Sequence, residues 1–257
     1  MATAKPTTLR RNKIKELISY AGRVKVDILS ARFGVSEVTI RADLRHLEEQ
    51  GVILRSYGGA QIREPVATDA SIFQKQKLHA DEKRRIGAAA ASLIHSGDAI
   101  IIDSGSTTSE IVKFLDGKEN LTIMTNAVNI ATELAGNPNC TVMLTGGTLR
   151  EKSFSLVGIQ AERMLREYHF DKVFLGVDGF DIETGISTPN PYEAQINTSM
   201  AAAAKEVIVL TDSSKFGRKS LVSIIGLDQI DRVITDSNIP PVYLKHLEER
   251  NIGVILV

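Results

Sequence analysis

Residues 33–60 read FGVSEVTIRADLRHLEEQGVILRSYGGA, and the fold of the first part of the chain turns on this stretch. Gly34 breaks the chain, and Ser36 offers a side-chain oxygen that can accept from an early helical N–H. From Glu37 to Gln50, Ile40, Leu44 and Leu47 recur at i, i+4 and i+7, so one face of a helix is apolar. The opposite face carries Thr39, Arg41, Ala42 and Arg45. Gly51 ends this helix, and VILRSYGGAQI reads as two short strands around a turn at Tyr57-Gly58-Gly59. Upstream, Ile14, Leu17 and Ile18 predict a helix over residues 9–20, ended by Gly22, and a shorter one covers 26–33. Two helices joined by a glycine turn and followed by a hairpin describe a winged helix-turn-helix.

The second helix of such a unit enters the major groove with its first residues on base edges. Ser36, Glu37, Thr39, Arg41 and Arg45 are the candidates, since Arg can bond guanine through two nitrogens and Thr can meet a thymine methyl. Arg10, Arg11, Lys13, Arg23, Lys25, Arg32 and Arg55 are candidates for phosphate, and Tyr57 at the hairpin turn joins the DNA-facing set. Phosphate contacts fix register and give salt-dependent affinity without reading sequence. The plainer alternative is a solvated arginine face, or a helical unit used for protein contacts.

Charge separates the chain into two parts. The 257 residues hold 31 Lys+Arg and 31 Asp+Glu, a net charge of zero. Residues 1–63 contain 12 basic and 6 acidic side chains, and residues 64–257 contain 19 and 25. The basic part suits a nucleic acid, and the total conceals it. Aromatics are 5% of residues and Trp is absent, which argues against a base-stacking platform for single strands. The single Cys140 excludes an intramolecular disulfide and a cysteine-rich zinc site, and its CTVMLTGG context reads as a strand. No metal is implied. The polar, basic N-terminus lacks a signal-like apolar region, and no apolar run reaches the ~18 residues of a membrane span. The expected location is the cytoplasm, with no membrane partner.

The 33–60 stretch, with Val26 and Leu29 before it, resembles the N-terminal signature of the DeoR family of bacterial sugar-metabolism regulators. Ser30 is one small departure, where the family usually has Ala. The resemblance implies a transcriptional regulator, most often a repressor, that acts on double-stranded operator DNA as a homodimer or homotetramer.

Beyond residue 62 the pattern changes. Residues 63–80 are polar, with Pro65, and read as a linker; 1–62 is then the DNA-binding domain and 81–257 a second domain. A helix is expected over 80–95. From residue 99, apolar runs of four to six residues recur at 99–103, 121–126, 141–146, 172–178, 207–212, 232–236 and 253–257. Amphipathic helices alternate with them, at 108–115, 128–134, 160–168, 192–205 and 242–249. Continuous apolar strands alternating with helices describe an open, mostly parallel α/β sheet buried on both faces.

Ligands of such sheets bind outside the carboxyl ends of the strands. Asp103, Ser104, Gly105, Ser106, Thr107 and Thr108 follow the first strand and open a helix. Gly105 lets backbone N–H groups approach an anion, and the hydroxyls add donors. The loop lacks the lysine of a nucleotide P-loop and the GxGxxG spacing of a dinucleotide site. Thr125 and Asn126, Gly146 and Gly147, Gly176, Asp178 and Gly179, and Lys215 stand at other strand ends. Each has a bland reading as a turn, a cap or a solvated cation; their convergence on one rim favours a single site. The DSGSTT, TN, TGG, GVDGFD, EAQIN and TDSSKFG elements resemble the effector domain of the same family along residues 75–257. That resemblance implies a fold like ribose-5-phosphate isomerase and a phosphorylated sugar as effector, with no other cofactor. Asp103 to Thr108 would hold the phosphate, and Asp178, Glu193 and Lys215 would line the sugar side. Glu193 could instead be an exposed first-turn carboxylate.

An active sugar-phosphate isomerase or amino-sugar-phosphate deaminase is the competing reading. Such an enzyme needs a placed base and a group for the enediolate. The KVFLGVDG segment resembles an isomerase segment with two aspartates three residues apart. Here Asp178 stands at the later position and Leu175 at the earlier, which favours binding without turnover. Glu193 and His169 are the remaining acid/base candidates, so no catalytic residue is assigned.

Overall fold

The computed structural model describes residues 6–21, 23–49, 53–56, 58–62 and 69–257, and the chain divides into two compact units, Met1–Pro65 and Val66–Val257.

The first unit contains α1 (Pro6–Ala21), β1 (Arg23–Lys25), α2 (Val26–Phe33), α3 (Glu37–Glu49), β2 (Ile53–Ser56) and β3 (Gly59–Ile62). Gly34 ends α2 in the left-handed region at φ +62°, where a residue without Cβ carries no steric penalty. Ser36 caps α3, accepting from the Thr39 N–H at 3.3 Å. Ile14, Ile18, Leu29, Ile40, Leu44, Leu47, Ile53 and Ala60 form the core. The strands make an antiparallel sheet in the order β1-β3-β2. The hairpin follows its sequence pattern; β1, three residues long, has no period to announce it.

The second unit opens with α4 (Ile72–Lys77), started by a Ser71/Gln74 capping box, and α5 (Ala80–Ser92). The linker expected over 63–80 is therefore structured in its later part; the alternating pattern of a longer helix is missing because α4 has only six residues. Then follow β4 (Ala99–Ile102), β5 (Leu121–Thr125), α6 (Val128–Leu134), β6 (Cys140–Leu144), β7 (Thr148–Arg150), β8 (Ser155–Val157), α7 (Ile159–Arg166) and β9 (Phe170–Gly176). The chain continues through β10 (Gly179–Asp181), β11 (Gly185–Thr188), α8 (Pro191–Ala202), β12 (Ala204–Leu210), β13 (Val222–Ile225), β14 (Arg232–Thr235), α9 (Pro241–Glu249) and β15 (Gly253–Leu256).

Seven of these strands form one parallel sheet in the order β15-β14-β12-β9-β4-β5-β6. They are the seven apolar runs of the sequence. Successive side chains face opposite sides of a sheet. Accordingly Ile101, Val173, Leu175, Val207 and Val209 enter one core with α7, α8 and α9. Ile100, Ile102, Phe174, Ile208 and Leu210 enter the other with α5 and α6. Two smaller sheets were not expected: the β7–β8 hairpin, and β10-β11-β13. Their strands span three or four residues each, too few for a legible period.

From β4 the strand order runs outward one way through β5 and β6, and from β9 the other way through β12, β14 and β15. The order reverses between β4 and β9, and open α/β sheets bind ligands in the crevice outside the carboxyl ends at such a reversal.

Candidate nucleic-acid interface and effector site

In the first unit α3 buries Ile40, Asp43, Leu44 and Leu47 and exposes Ser36, Glu37, Val38, Arg41, Ala42 and Arg45. Arg41, Ala42 and Arg45 of the face opposite the apolar row are exposed, Thr39 of the same face is half-buried, and Val38, outside the expected set, is exposed. Arg41 donates from Nη2 to Glu37 Oε2 at 2.6 Å, one turn back along the helix. Lys25, Asp27, Glu37, Arg41, Gly58 and Gly59 line a cleft beside the hairpin turn. Asp43, 2% exposed, draws two arginines: Arg10 donates from Nε at 2.6 Å and Arg11 from Nε at 2.8 Å. Both side chains, expected as phosphate contacts, thus tie α1 to α3. A buried carboxylate requires such partners, because desolvation alone would expel it. Tyr57 and the Arg55 side chain lie outside the described residues.

In the second unit Asp103 ends β4 in the crevice. Its N–H donates to the Phe174 carbonyl at 3.1 Å, and its Oδ2 accepts from the Gly176 N–H at 3.1 Å. These bonds lock the first loop to the end of β9. Gly105 and Gly176 pass back to back: a Cβ on either would lie 3.3 Å from the other's Cα, a tight contact that the glycines relieve. The N–H groups of Gly105, Ser106 and Thr107 have no acceptor among the described residues. Thr108 instead turns its hydroxyl inward, donating to the Asp103 and Gly105 carbonyls. The helix expected after this loop is a seven-residue 3-10 helix, Thr108–Phe114, so the free amides and hydroxyls, not a long helix dipole, carry the donor character.

The other strand ends converge on this rim. Thr125 donates through its hydroxyl to the Ile102 carbonyl at 2.6 Å. Asn126, fully buried, has both amide atoms without a partner. An unpartnered buried amide costs free energy unless something fills its bonds. Asp178 accepts from Lys75 Nζ at 2.7 Å, with Lys215 Nζ at 3.8 Å and the Thr188 hydroxyl at 3.4 Å. Burial works against its charge, yet Lys75 and Lys215 outweigh burial and hold its carboxyl below the usual range. Gly146 and Gly147 turn the chain from β6 into β7 at φ +68° and +105° and are exposed. Gly179, buried, starts β10.

Glu193 is buried at 8% exposure rather than standing on an open first turn. The α8 N-cap Asn190 accepts its N–H, and its carboxylate pairs with Arg150 and accepts from Ser155 at 3.1 Å. The Asn197 amide, with its nitrogen toward Asp103, donates to Asp103 Oδ1 and to the Glu193 carbonyl, both at 3.2 Å. Burial, and then the nearby Glu193 charge, push the Asp103 carboxyl up to about 7. Lys83 from α5 is 4% exposed and donates to the carbonyls of Lys75 and Leu78. Burial lowers its pKa to about 8; Asp212 opposes that, and Lys215 and Lys75 add to it.

Lys75, Lys83, Arg150, Ser155, Thr188 and Asn197 were not singled out from the sequence. The signal available was weak: a lysine in a polar stretch, another in a helix, an arginine ending a short strand. Among the described residues no group of His, Cys, Asp and Glu is placed to hold a metal, and no helix is long and apolar enough to cross a membrane.

Residues 10–66 match the model of a DeoR-like helix-turn-helix domain, and residues 78–237 that of a DeoR C-terminal sensor domain. A candidate aga operon transcriptional repressor of Escherichia coli O157:H7 is 44% identical over 98% of this chain and 94% of its own length. The regulator GlpR of Haloferax volcanii is 36% identical over 96% of both chains, and GolR of Listeria innocua 34% over 95% and 96%. Among solved structures, ribose 5-phosphate isomerase from Methanocaldococcus jannaschii matches 53% of this chain and 54% of its own at 18% identity and a TM-score of 0.39. Near-complete coverage by these regulators places the chain with them. The chain belongs to the DeoR family of helix-turn-helix transcriptional regulators.

Proposed function

We propose that this regulator represses a sugar-catabolism operon and leaves its operator when a phosphorylated sugar occupies the crevice between β4 and β9. The observation that carries the reading is the row of free N–H groups at Gly105, Ser106 and Thr107, beside the unpartnered amide of Asn126. Successive free amides form a concave donor set suited to a phosphate. Ser104, Ser106 and Thr107 add hydroxyls, and Lys215 and Lys83 add positive charge at the same rim. Asp178 and Glu193 accept hydroxyl hydrogen bonds from the sugar, and Thr125, Gly146, Gly147, Gly176 and Gly179 shape the walls. The core position of Leu175, fully buried, supports binding without turnover, because the earlier carboxylate of the isomerase pattern is missing there.

On DNA, Thr39, Arg41 and Arg45 of α3 read base edges, with Ser36 and Glu37 at its start. Arg10, Arg11, Arg55 and Tyr57 contact the backbone. A homodimer or homotetramer in the cytoplasm would present two such helices to half-sites about one helical turn (~34 Å) apart or a multiple of it.

The test is a thermal-shift screen of ribose 5-phosphate and amino-hexose 6-phosphates against the same sugars without phosphate. A phosphosugar at about 100 times its dissociation constant stabilises the protein by about 2.7 kcal/mol. It should also release a DNA fragment selected in vitro by the protein itself. Equal effects of the sugars with and without phosphate would overturn the reading.

A further inference from the structure

The start of the sensor unit is stitched across the candidate site at three points. Asp69 Oδ2 accepts from Arg150 Nη2 at 2.8 Å. The Ile72 N–H donates to the Lys152 carbonyl at 2.7 Å, and Phe73 meets the ring of Phe154 edge-on with centroids 5.5 Å apart. Lys75 pairs with Asp178 at 2.7 Å, and Lys83 caps the carbonyls of Lys75 and Leu78. The first and third points share a pattern. One partner belongs to the segment 69–78, and the other is either a candidate ligand group or pairs directly with one. Asp178 is such a group. Arg150 reaches Glu193 with Nη1 while it holds Asp69 with Nη2.

Resting on the sugar-phosphate reading above, we propose that Asp69 is the positioning residue that couples the ligand site to DNA binding through Arg150. The Arg150 guanidinium is shared between two carboxylates, Asp69 at the start of the sensor unit and Glu193 in α8. Its side chain is 14% exposed, so its charge has little water to fall back on. A ligand that engages Glu193 or Asp178 redraws these pairings and loosens 69–78. In sequence, only residues 63–68 separate that segment from β3 of the DNA-reading unit. Lys152, which donates to the Asp69 carbonyl at 3.2 Å, strengthens the same anchor from the β7–β8 turn. An effector acts only through its unequal affinity for two states, and the stitched segment is what differs between them.

The test compares full-length wild type with Asp69→Asn, Asp69→Glu and Lys152→Ala. The DNA is the fragment selected in vitro by the wild type; the ligands are ribose 5-phosphate and amino-hexose 6-phosphates. Without any ligand, Asp69→Asn should lose on the order of tenfold in operator affinity. Amide exchange over 70–78 should quicken, Lys152→Ala should move both readouts less, and Asp69→Glu should restore them. Sugar-phosphate affinity should not fall, which a merely structural loss would not spare. Wild-type operator affinity and exchange in Asp69→Asn overturn the coupling, even where a phosphosugar still releases the wild type. If Asp69→Asn weakens operator binding while no phosphosugar releases the wild type, the coupling stands and the sugar-phosphate reading fails.

Discussion

Arg41 and Arg150 each bond a glutamate, and the two pairs show how differently the two units handle charge. The Arg41–Glu37 pair lies open on α3, with side chains 54% and 46% exposed. The Arg150–Glu193 pair lies within the sensor, at 14% and 11%, with Asp69, Ser153 and Ser155 filling the remaining bonds. An exposed ion pair contributes little to stability, so Arg41 can exchange Glu37 for a base at small cost. A buried pair cannot be opened without leaving a charge stranded. The exposed pair on α3 is thus free to change partners, while at the sensor rim a change at one carboxylate is felt by its neighbours.

Truncating each glutamate in turn separates the two pairs most widely. Glu193→Ala should destabilise the sensor unit by about 1–3 kcal/mol in urea unfolding, because Arg150 loses one of its two carboxylate partners and Ser155 its acceptor. Glu37→Ala should stay within about 0.5 kcal/mol of wild type. Equal losses would mean that burial does not distinguish the pairs. The next effect is on DNA. Arg41→Ala should cost about 1–3 kcal/mol in operator affinity and relax the preference at one base position, with unfolding unchanged. An unaltered base preference would remove Arg41 from the reading set.

The same contrast decides what could be read from the sequence. The first unit was legible because its signals are local: Ser36, the i, i+4, i+7 row of Ile40, Leu44 and Leu47, and the glycine turn. The seven parallel strands were legible because burial on both faces makes their apolar runs continuous. In the sensor site, Asp103–Thr108 and Asp178 could be found because strand ends mark the rim. Their partners could not. Lys75 meets Asp178 across 103 residues and Arg150 meets Asp69 across 81. Nothing in the period of a six-residue helix or a three-residue strand foretells such a meeting. The two arginines on Asp43 read as phosphate contacts for the same reason, since the carboxylate that holds them lies 32 and 33 residues away.

Titration sharpens the comparison further. Asp103 holds its proton to about 7 in the fold against 3.8 in the unfolded chain. Between those values the native state binds more protons, so sensor stability should fall as pH rises from about 4 to 7, by at most ~1.4 kcal/mol per unit. Lys83 shifts the other way, to about 8 from 10.5. There the unfolded chain binds more protons, and stability should rise between about 8 and 10.5. Unfolding of wild type and Asp103→Asn across pH 4–7 checks the first; a slope that Asp103→Asn leaves intact would assign it elsewhere.

The smallest expected effect tests whether every cation at the rim is coupled. Lys215 lies 3.8 Å from Asp178, beyond a tight hydrogen bond, and is 22% exposed. Lys75 already satisfies Asp178 at 2.7 Å, so Lys215→Ala strands no carboxylate. Its stability cost should therefore lie within about 1 kcal/mol, as for a surface pair. Operator affinity without ligand should match wild type, because Lys215 does not touch residues 69–78. Phosphosugar affinity, measured by calorimetry, should fall a few-fold, since a cation at the anion site is lost. Loss of operator affinity in Lys215→Ala would show that the whole rim, and not the Asp69–Arg150 and Lys75–Asp178 pairs alone, sets the DNA-binding state.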